Sequence, residues 1–209
     1  MPADKHDLDA AYALETPDDN RALYAGWAET YEETFAEAMD FLMPGQVARL
    51  FAACGGTGPV LDAGAGTGLL GQALAAQGIA PVDGLDLSPE MLEVARRKDV
   101  YRDLVVADMT QPLPLPDAAW QGVVSSGTFT HGHVGPAAFD ELMRVAAPGA
   151  LFVVTIKPEL FHAAGFAEKF DSFGGRITGF EQVEAPIYGP GATGAHRDDR
   201  GLLVRFRKT

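Results

Sequence analysis

Residues 60–68 read Val60-Leu61-Asp62-Ala63-Gly64-Ala65-Gly66-Thr67-Gly68. An apolar pair leads into a carboxylate, and three glycines then alternate with small residues. Leu69 and Leu70 open an apolar helical pattern. The run therefore predicts a buried strand, a tight turn and a helix start. Glycine is needed where a Cβ would block the turn or the close approach of a ligand. The helix N-terminus presents free N–H groups to whatever docks against it. Asp62 adds an acceptor at the strand end, which a pyrophosphate would not tolerate so near. The segment suits a ligand with cationic or hydroxyl groups better than a phosphate.

Outward from this turn, strands and helices alternate. Strands are expected at 60–63, 82–87, 104–107, 120–125 and 150–156, and helices at 69–77, 89–97 and 136–145. Ser88 is placed to cap the second of these helices, with Pro89 at its first position and Glu90 in its first turn. Residues 110–119 carry Pro112, Pro114 and Pro116 and read as a loop. Residues 160–170 suit one short helix. Residues 177–187 and 202–207 read as two strands with no helical pattern between them, so they should form an antiparallel hairpin around a long polar loop, 188–201. The expected fold is α/β: a seven-stranded, mostly parallel sheet with one antiparallel C-terminal strand and helices on both faces.

Upstream, Thr16-Pro17-Asp18-Asp19 is a helix start. From there to about Phe41, apolar Leu23, Trp27, Tyr31, Phe35 and Met39 recur every four residues. Pro44 opens another helix, with Val47, Leu50 and Phe51 on one face. The expected organisation is a single domain over residues 1–209, with a helical N-terminal cap at 16–54 and an α/β core at 59–209.

Composition narrows the function. The chain has 209 residues, enough for one sizeable core at 47% hydrophobic content. No apolar run reaches the roughly 18 residues of a membrane span, and the polar, acidic N-terminus does not resemble a secretory signal. The single cysteine, Cys54, excludes an intramolecular disulfide and a cysteine-based zinc cluster. A cytoplasmic location, no metal, and a monomer or homodimer are expected. The formal charge of −13 disfavours a nucleic-acid partner. The short basic runs at 96–98 and 205–208 read as a solvated helix end and a strand edge.

In open α/β sheets ligands bind beyond the carboxyl ends of the strands. The candidates are therefore Asp62–Gly68, Asp86, Asp108 and the segment from Ser125 to Thr130. Asp86 lies about twenty residues past the glycine turn, the offset at which an acid accepts ribose hydroxyls. Asp108, or the Met109 backbone, is placed to accept an exocyclic amine, and Leu87 and Met91 to flank a ring.

Three runs carry a family resemblance: Val-Leu-Asp-Ala-Gly-Ala-Gly-Thr-Gly, Gly-Leu-Asp-Leu-Ser-Pro-Glu-Met-Leu (84–92) and Val-Ala-Asp-Met (106–109). Together they resemble the class I S-adenosylmethionine-dependent methyltransferases. The strand-four segment, the stretch Leu-Met-Arg-Val-Ala-Ala-Pro-Gly (142–149) and the terminal hairpin extend the likeness over residues 20–209. Within that superfamily, Tyr-Ala-Gly-Trp-Ala-Glu-Thr-Tyr (24–31) and Gly-Thr-Phe-Thr-His-Gly-His-Val (127–134) look most like the Williams–Beuren syndrome region methyltransferase-like proteins. The resemblance implies a Rossmann-like fold and S-adenosyl-L-methionine as cofactor, with S-adenosyl-L-homocysteine as product. It implies that Gly64, Ala65, Gly66 and Gly68 pass under the methionine moiety and that Asp62 faces its ammonium. Asp86 would hold the ribose, Asp108 with Met109 the adenine, and Ser125 and Ser126 would lie beneath the sulfonium. Tyr24, Trp27 and Tyr31 would close over the cofactor.

Methyl transfer from a sulfonium requires an in-line nucleophile and exclusion of water. A base is needed only for a protonated acceptor. His131 and His133 are the catalytic candidates, with Tyr188 and His196 as possible substrate contacts. Ser-Ser-Gly-Thr-Phe (125–129) replaces the Asn/Asp-Pro-Pro-aromatic motif associated with planar nitrogens, which favours a small-molecule acceptor. Two alternatives compete. Gly66-Thr67-Gly68-Leu69-Leu70-Gly71 fits G-x-G-x-x-G and suggests an NAD(P)-dependent oxidoreductase, but Asp62 and Gly64 precede the frame. No tyrosine is followed by lysine four residues on. The other alternative is a non-catalytic, cofactor-binding regulatory module.

Overall fold

The computed structural model describes Gly26, residues 28–32, Ala36, residues 39–130 and residues 134–209. The elements run α1 (Met43–Ala53), β1 (Val60–Ala63), α2 (Leu69–Ala76), β2 (Val82–Asp86), α3 (Pro89–Arg96), β3 (Asp103–Val106) and β4 (Trp120–Phe129). They continue with α4 (Ala138–Val145), β5 (Ala146–Ile156), α5 (Pro158–Ala163), α6 (Phe166–Phe173), β6 (Ile177–Pro186) and β7 (Arg200–Lys208). The seven strands form one sheet in the order β3-β2-β1-β4-β5-β7-β6. β1 to β5 pair in parallel, and β7 runs antiparallel to both of its neighbours. The strand order reverses between β1 and β4, so the carboxyl ends of these two strands flank the crevice where such sheets bind ligands.

Both faces are buried over the central strands, whereas the edge strand β6 is largely exposed, and the central strands divide their side chains between two cores. Leu61, Val123, Phe152 and Phe206 point to one core, where Phe139, Phe166 and Phe170 come from α4 and α6. Val60, Val124, Val153 and Leu203 point to the other, with Val47 and Phe51 of α1 and Leu70 and Leu74 of α2. The neighbours along each strand thus face opposite ways, as period two requires.

The start of α3 follows its capping signal: Ser88 Oγ accepts from Met91 N–H, Pro89 opens the helix and Glu90 lies in the first turn. Three expectations need correction. Residues 158–173 make two short helices, interrupted at Ala164-Gly165, in place of one. β4 runs on to Phe129 and β5 begins at Ala146, with irregular register at both ends of the pair. The basic run at 96–98 is not merely a solvated helix end: Arg97 pairs with Glu29 at 2.6 Å, and Lys98 pairs with Glu32 and donates to Gln72 Oε1 at 2.8 Å. These contacts tie the segment around residues 28–32 to the end of α3. The helix start at 16–19 lies outside the described residues. No helix among those described is long and apolar enough to cross a membrane.

Candidate cofactor site

The turn after β1 is held from two sides. Gly64 N–H and Ala65 N–H both donate to the Leu85 carbonyl of β2 at 2.9 Å. Gly66 N–H donates to Asp86 Oδ2 at 2.9 Å, and Ser88 N–H donates to Asp86 Oδ1 at the same distance. Asp86 therefore fastens the glycine turn to the start of α3. Leu87 N–H is a further donor to this carboxylate, which with about four acceptor sites keeps capacity for a ligand. Burial raises the Asp86 carboxyl above its ordinary range, and the N–H donors oppose that shift.

Gly64 and Gly66 both adopt positive φ, +82° and +53°. A Cβ on Gly64 would stand 2.1 Å from Thr128 Oγ1, so the turn and β4 can close only on glycine. A Cβ on Gly66 would meet nothing within 4 Å. It would project into open space, which is the cleft.

That cleft encloses about 970 Å³, counting its solvent-filled mouth. Gly64, Ala65, Gly66 and Thr67 line one side; Asp86, Leu87 and Met91 continue from β2 into α3. Asp108 and Met109 follow β3, and Ser126 and Thr128 come from the end of β4. Tyr31, Phe41 and Pro44 contribute from the N-terminal part. Asp108 Oδ1 accepts from both the amide and the hydroxyl of Thr110. Its Oδ2 accepts no hydrogen bond among the described residues. Thr67 Oγ1 and Ser126 Oγ are buried without a partner among those residues. Two such hydroxyls in one cleft are available to pair with a ligand or with water.

Several expected contacts do not line the cleft. Asp62 is fully buried, and its Oδ2 accepts from Tyr101 Oη at 2.7 Å. Burial lifts its carboxyl to about 7; the Tyr101 hydroxyl opposes this and the Asp86 charge adds to it. Gly68 faces Tyr101 and Ala95. Ser125 Oγ donates to the Ala63 carbonyl at 2.6 Å, because strand alternation turns it away from the side that Ser126 faces. Tyr188 is buried against Phe41, with ring centroids 6.1 Å apart, and is not on the cleft wall. His196 Nδ1 lies 3.1 Å from Asp199 Oδ2 at the foot of the β6–β7 loop and is likewise off that wall. Tyr24, Trp27, His131 and His133 lie outside the described residues. Sequence reasoning gave no site role to Phe41 or Tyr101, and it held Thr67 and Thr128 only as members of the candidate segments 62–68 and 125–130. Thr67 sits inside the glycine run and was readable there as a hydroxyl at the turn; Tyr101 has no local signal.

The cleft fits a nucleoside with a charged tail: carboxylates at two strand ends, a ring-sized apolar slot beside Leu87, Met91 and Met109, and a cradle left open at Gly66. Gly71, the last glycine of the competing dinucleotide frame, packs against the Tyr101 ring and not the cleft.

Known proteins agree with this geometry. A family model described as a methyltransferase domain matches residues 61–154. Human methyltransferase-like protein 27 is 36% identical over 99 residues, covering 47% of this chain and 40% of the human protein. The demethylmenaquinone methyltransferase of Thermus thermophilus is 34% identical over 166 residues, covering 70% of this chain and 75% of that protein. A solved S-adenosyl-L-methionine-dependent methyltransferase structure from Methanococcus maripaludis superposes with a TM-score of 0.64 at 20% identity, over 90% of this chain and 93% of the other. The chain thus spans under half the human relative but most of the Thermus one, and the glycine turn, Asp86, Asp108 and the end of β4 fall inside the matched residues 61–154. The chain belongs to the class I S-adenosylmethionine-dependent methyltransferases.

Proposed function

We propose that this protein transfers a methyl group from S-adenosyl-L-methionine to a small-molecule acceptor. One observation carries the reading: one cleft at the sheet's reversal point gathers the glycine cradle, two strand-end carboxylates and two buried hydroxyls with no partner among the described residues. The cofactor supplies a sulfonium-bound methyl group with a good leaving group already attached. The chain supplies position. Asp86 accepts the ribose hydroxyls on its remaining lone pairs, and Asp108 with Met109 frames the base. Gly66 leaves room for the amino-acid tail, and Thr67 and Ser126 find their partners there. Asp62 acts from beneath the turn, as a buried charge.

The acceptor enters from the side of β4. Thr128 and Val134 line the cleft there, and His131 and His133 lie between them in the chain. In this reading the two histidines take the proton of an acceptor that carries one. The domain organisation follows the same logic: a cap over 16–54, with Tyr24, Trp27 and Tyr31 above the cofactor. Tyr31, Phe41 and Pro44 on the cleft wall support that placement, as do the ion pairs from Glu29 and Glu32 to the end of α3. Such a cap would exclude water from the transfer. The net charge of −13, and a cleft with no Lys or Arg among its described lining residues, favour a small molecule over a nucleic acid.

Thermal melts with S-adenosyl-L-homocysteine and with NADH test the reading. A ligand at a hundred times its Kd adds about 2.7 kcal/mol to stability. S-adenosyl-L-homocysteine should raise Tm and NADH should not. Stabilisation by NADH alone would contradict the proposal.

A further inference from the structure

Beside the glycine turn, off the cleft wall, stands one tyrosine that touches three elements. Tyr101 lies in the connection between α3 and β3. Its hydroxyl donates to Asp62 Oδ2 at 2.7 Å and accepts from Gly71 N–H, in the first turn of α2, at 3.1 Å. Its ring fills space that three glycines leave open. A Cβ on Gly71 would stand 2.3 Å from ring Cζ, and one on Gly68 or Gly84 would stand 3.1 Å from a ring carbon. β1, α2 and β2 therefore converge on a single side chain. The carboxyl it holds is fully buried, and Asp62 Oδ1 has no hydrogen-bond partner among the described residues. Tyr101 is thus the side-chain donor that keeps this charge from being stranded.

We propose that Tyr101 is a positioning residue for the cofactor turn, its hydroxyl tying Asp62 to the start of α2 and holding the Asp62 charge beneath Gly64–Gly68. This deepens the reading of the cleft as a cofactor site and rests on it. Tyr101 need not touch the ligand. It acts through Asp62, whose negative charge favours the ligand's ammonium group across the turn. The groups facing that carboxyl are Tyr101, from the α3–β3 connection, and Asp86, from the end of β2. Burial and the Asp86 charge lift Asp62 to about 7, and the tyrosine hydroxyl pulls it down. Loss of the hydroxyl therefore lifts it further, into a range a buffer can read.

The test compares the whole parent chain with Tyr101→Phe, which keeps the ring in its three-glycine slot. One measurement follows the Asp62 carboxyl carbon by NMR against pH, with Asp62→Asn identifying the resonance. The other follows the S-adenosyl-L-homocysteine Kd by calorimetry across the same pH range. The Asp62 midpoint should rise by about one pH unit. A midpoint moved from about 7 to about 8 leaves roughly a fifth as much ionised Asp62 at pH 7 and nearly the parent amount at pH 9. Binding should accordingly weaken about fivefold at pH 7 and recover at pH 9. An unmoved midpoint, or a loss of affinity equal at every pH, overturns the positioning role. A parent chain that binds no S-adenosyl-L-homocysteine overturns the cofactor reading and this role with it, and the carboxyl titration distinguishes that failure from a failure of Tyr101 alone.

Discussion

Asp62 is fully buried, and burial raises its carboxyl from 3.8 to about 7. An acid whose folded-state pKa lies above its unfolded value holds its proton more tightly in the fold. Its contribution to stability is complete below about pH 4 and is lost as pH rises through about 7. Burial raises Asp86 in the same direction. Thermal melts between about pH 4 and 8 should therefore show the parent chain losing stability relative to Asp62→Asn, with the difference level once Asp62 is ionised. Parallel curves would show that Asp62 does not titrate in this window. Asp86 offers a second residue-scale prediction. It holds Gly66 and Ser88 and faces the cleft. Asp86→Ala should weaken S-adenosyl-L-homocysteine binding by more than about tenfold by calorimetry, since a charge-assisted acceptor is lost; unchanged affinity would remove Asp86 from the site. The strand-end residues were readable in the sequence because a strand's last residue has a determined place in an open α/β sheet. Tyr101 was not, since its partners Asp62 and Gly71 lie 39 and 30 residues earlier in the chain. Asp62 was expected to face the ligand's ammonium; it lies off the cleft wall, held by a donor, Tyr101, that only the folded chain reveals.

At the scale of elements, the β1–α2 turn separates folding from binding at two glycines. Both have positive φ, which costs a residue with a side chain about 1–2 kcal/mol. At Gly64 the added Cβ also collides with Thr128 of β4; at Gly66 it meets open cleft. Gly64→Ala should lower Tm strongly. Gly66→Ala should lower it by no more than the strain alone and still abolish measurable S-adenosyl-L-homocysteine binding. Equal Tm losses, or a Gly66→Ala variant that binds normally, would contradict this placement of the cleft. The β-α alternation was legible because each element carried its own punctuation: Ser88-Pro89 at the start of α3, the prolines at 112, 114 and 116 in the loop after β3. The division of 158–173 into two helices was less so. Its apolar residues continue a helical spacing on both sides, and only Gly165 interrupts them. The basic run at the end of α3 was legible only in part: Arg96 and Arg97 are exposed as expected, while Lys98 is largely covered. A charge run looks solvated in sequence until the distant Glu29 and Glu32 are seen opposite it.

Across the whole molecule, one sheet performs two tasks. Its central strands, buried on both faces, hold the fold together, and the reversal between β1 and β4 opens the crevice at their carboxyl ends. The antiparallel β7 places the β6–β7 loop beside the N-terminal part, where Leu42 N–H donates to the Ile187 carbonyl at 2.9 Å and Gly189 N–H to the Asp40 carbonyl at 2.8 Å. Phe41, between these two contacts, lines the cleft and packs on Tyr188. The loop thereby shapes the pocket through Phe41 without lining it. The central claim, that this cleft receives the methyl donor, is tested most directly by amide NMR as S-adenosyl-L-homocysteine is added. Resonances of Ala65–Gly68, Asp86–Leu87, Asp108–Met109 and Ser126 should shift or broaden together, and those of the β6 edge should stay in place. Shifts that cluster elsewhere, or none at a ligand concentration that saturates related enzymes, would contradict the account.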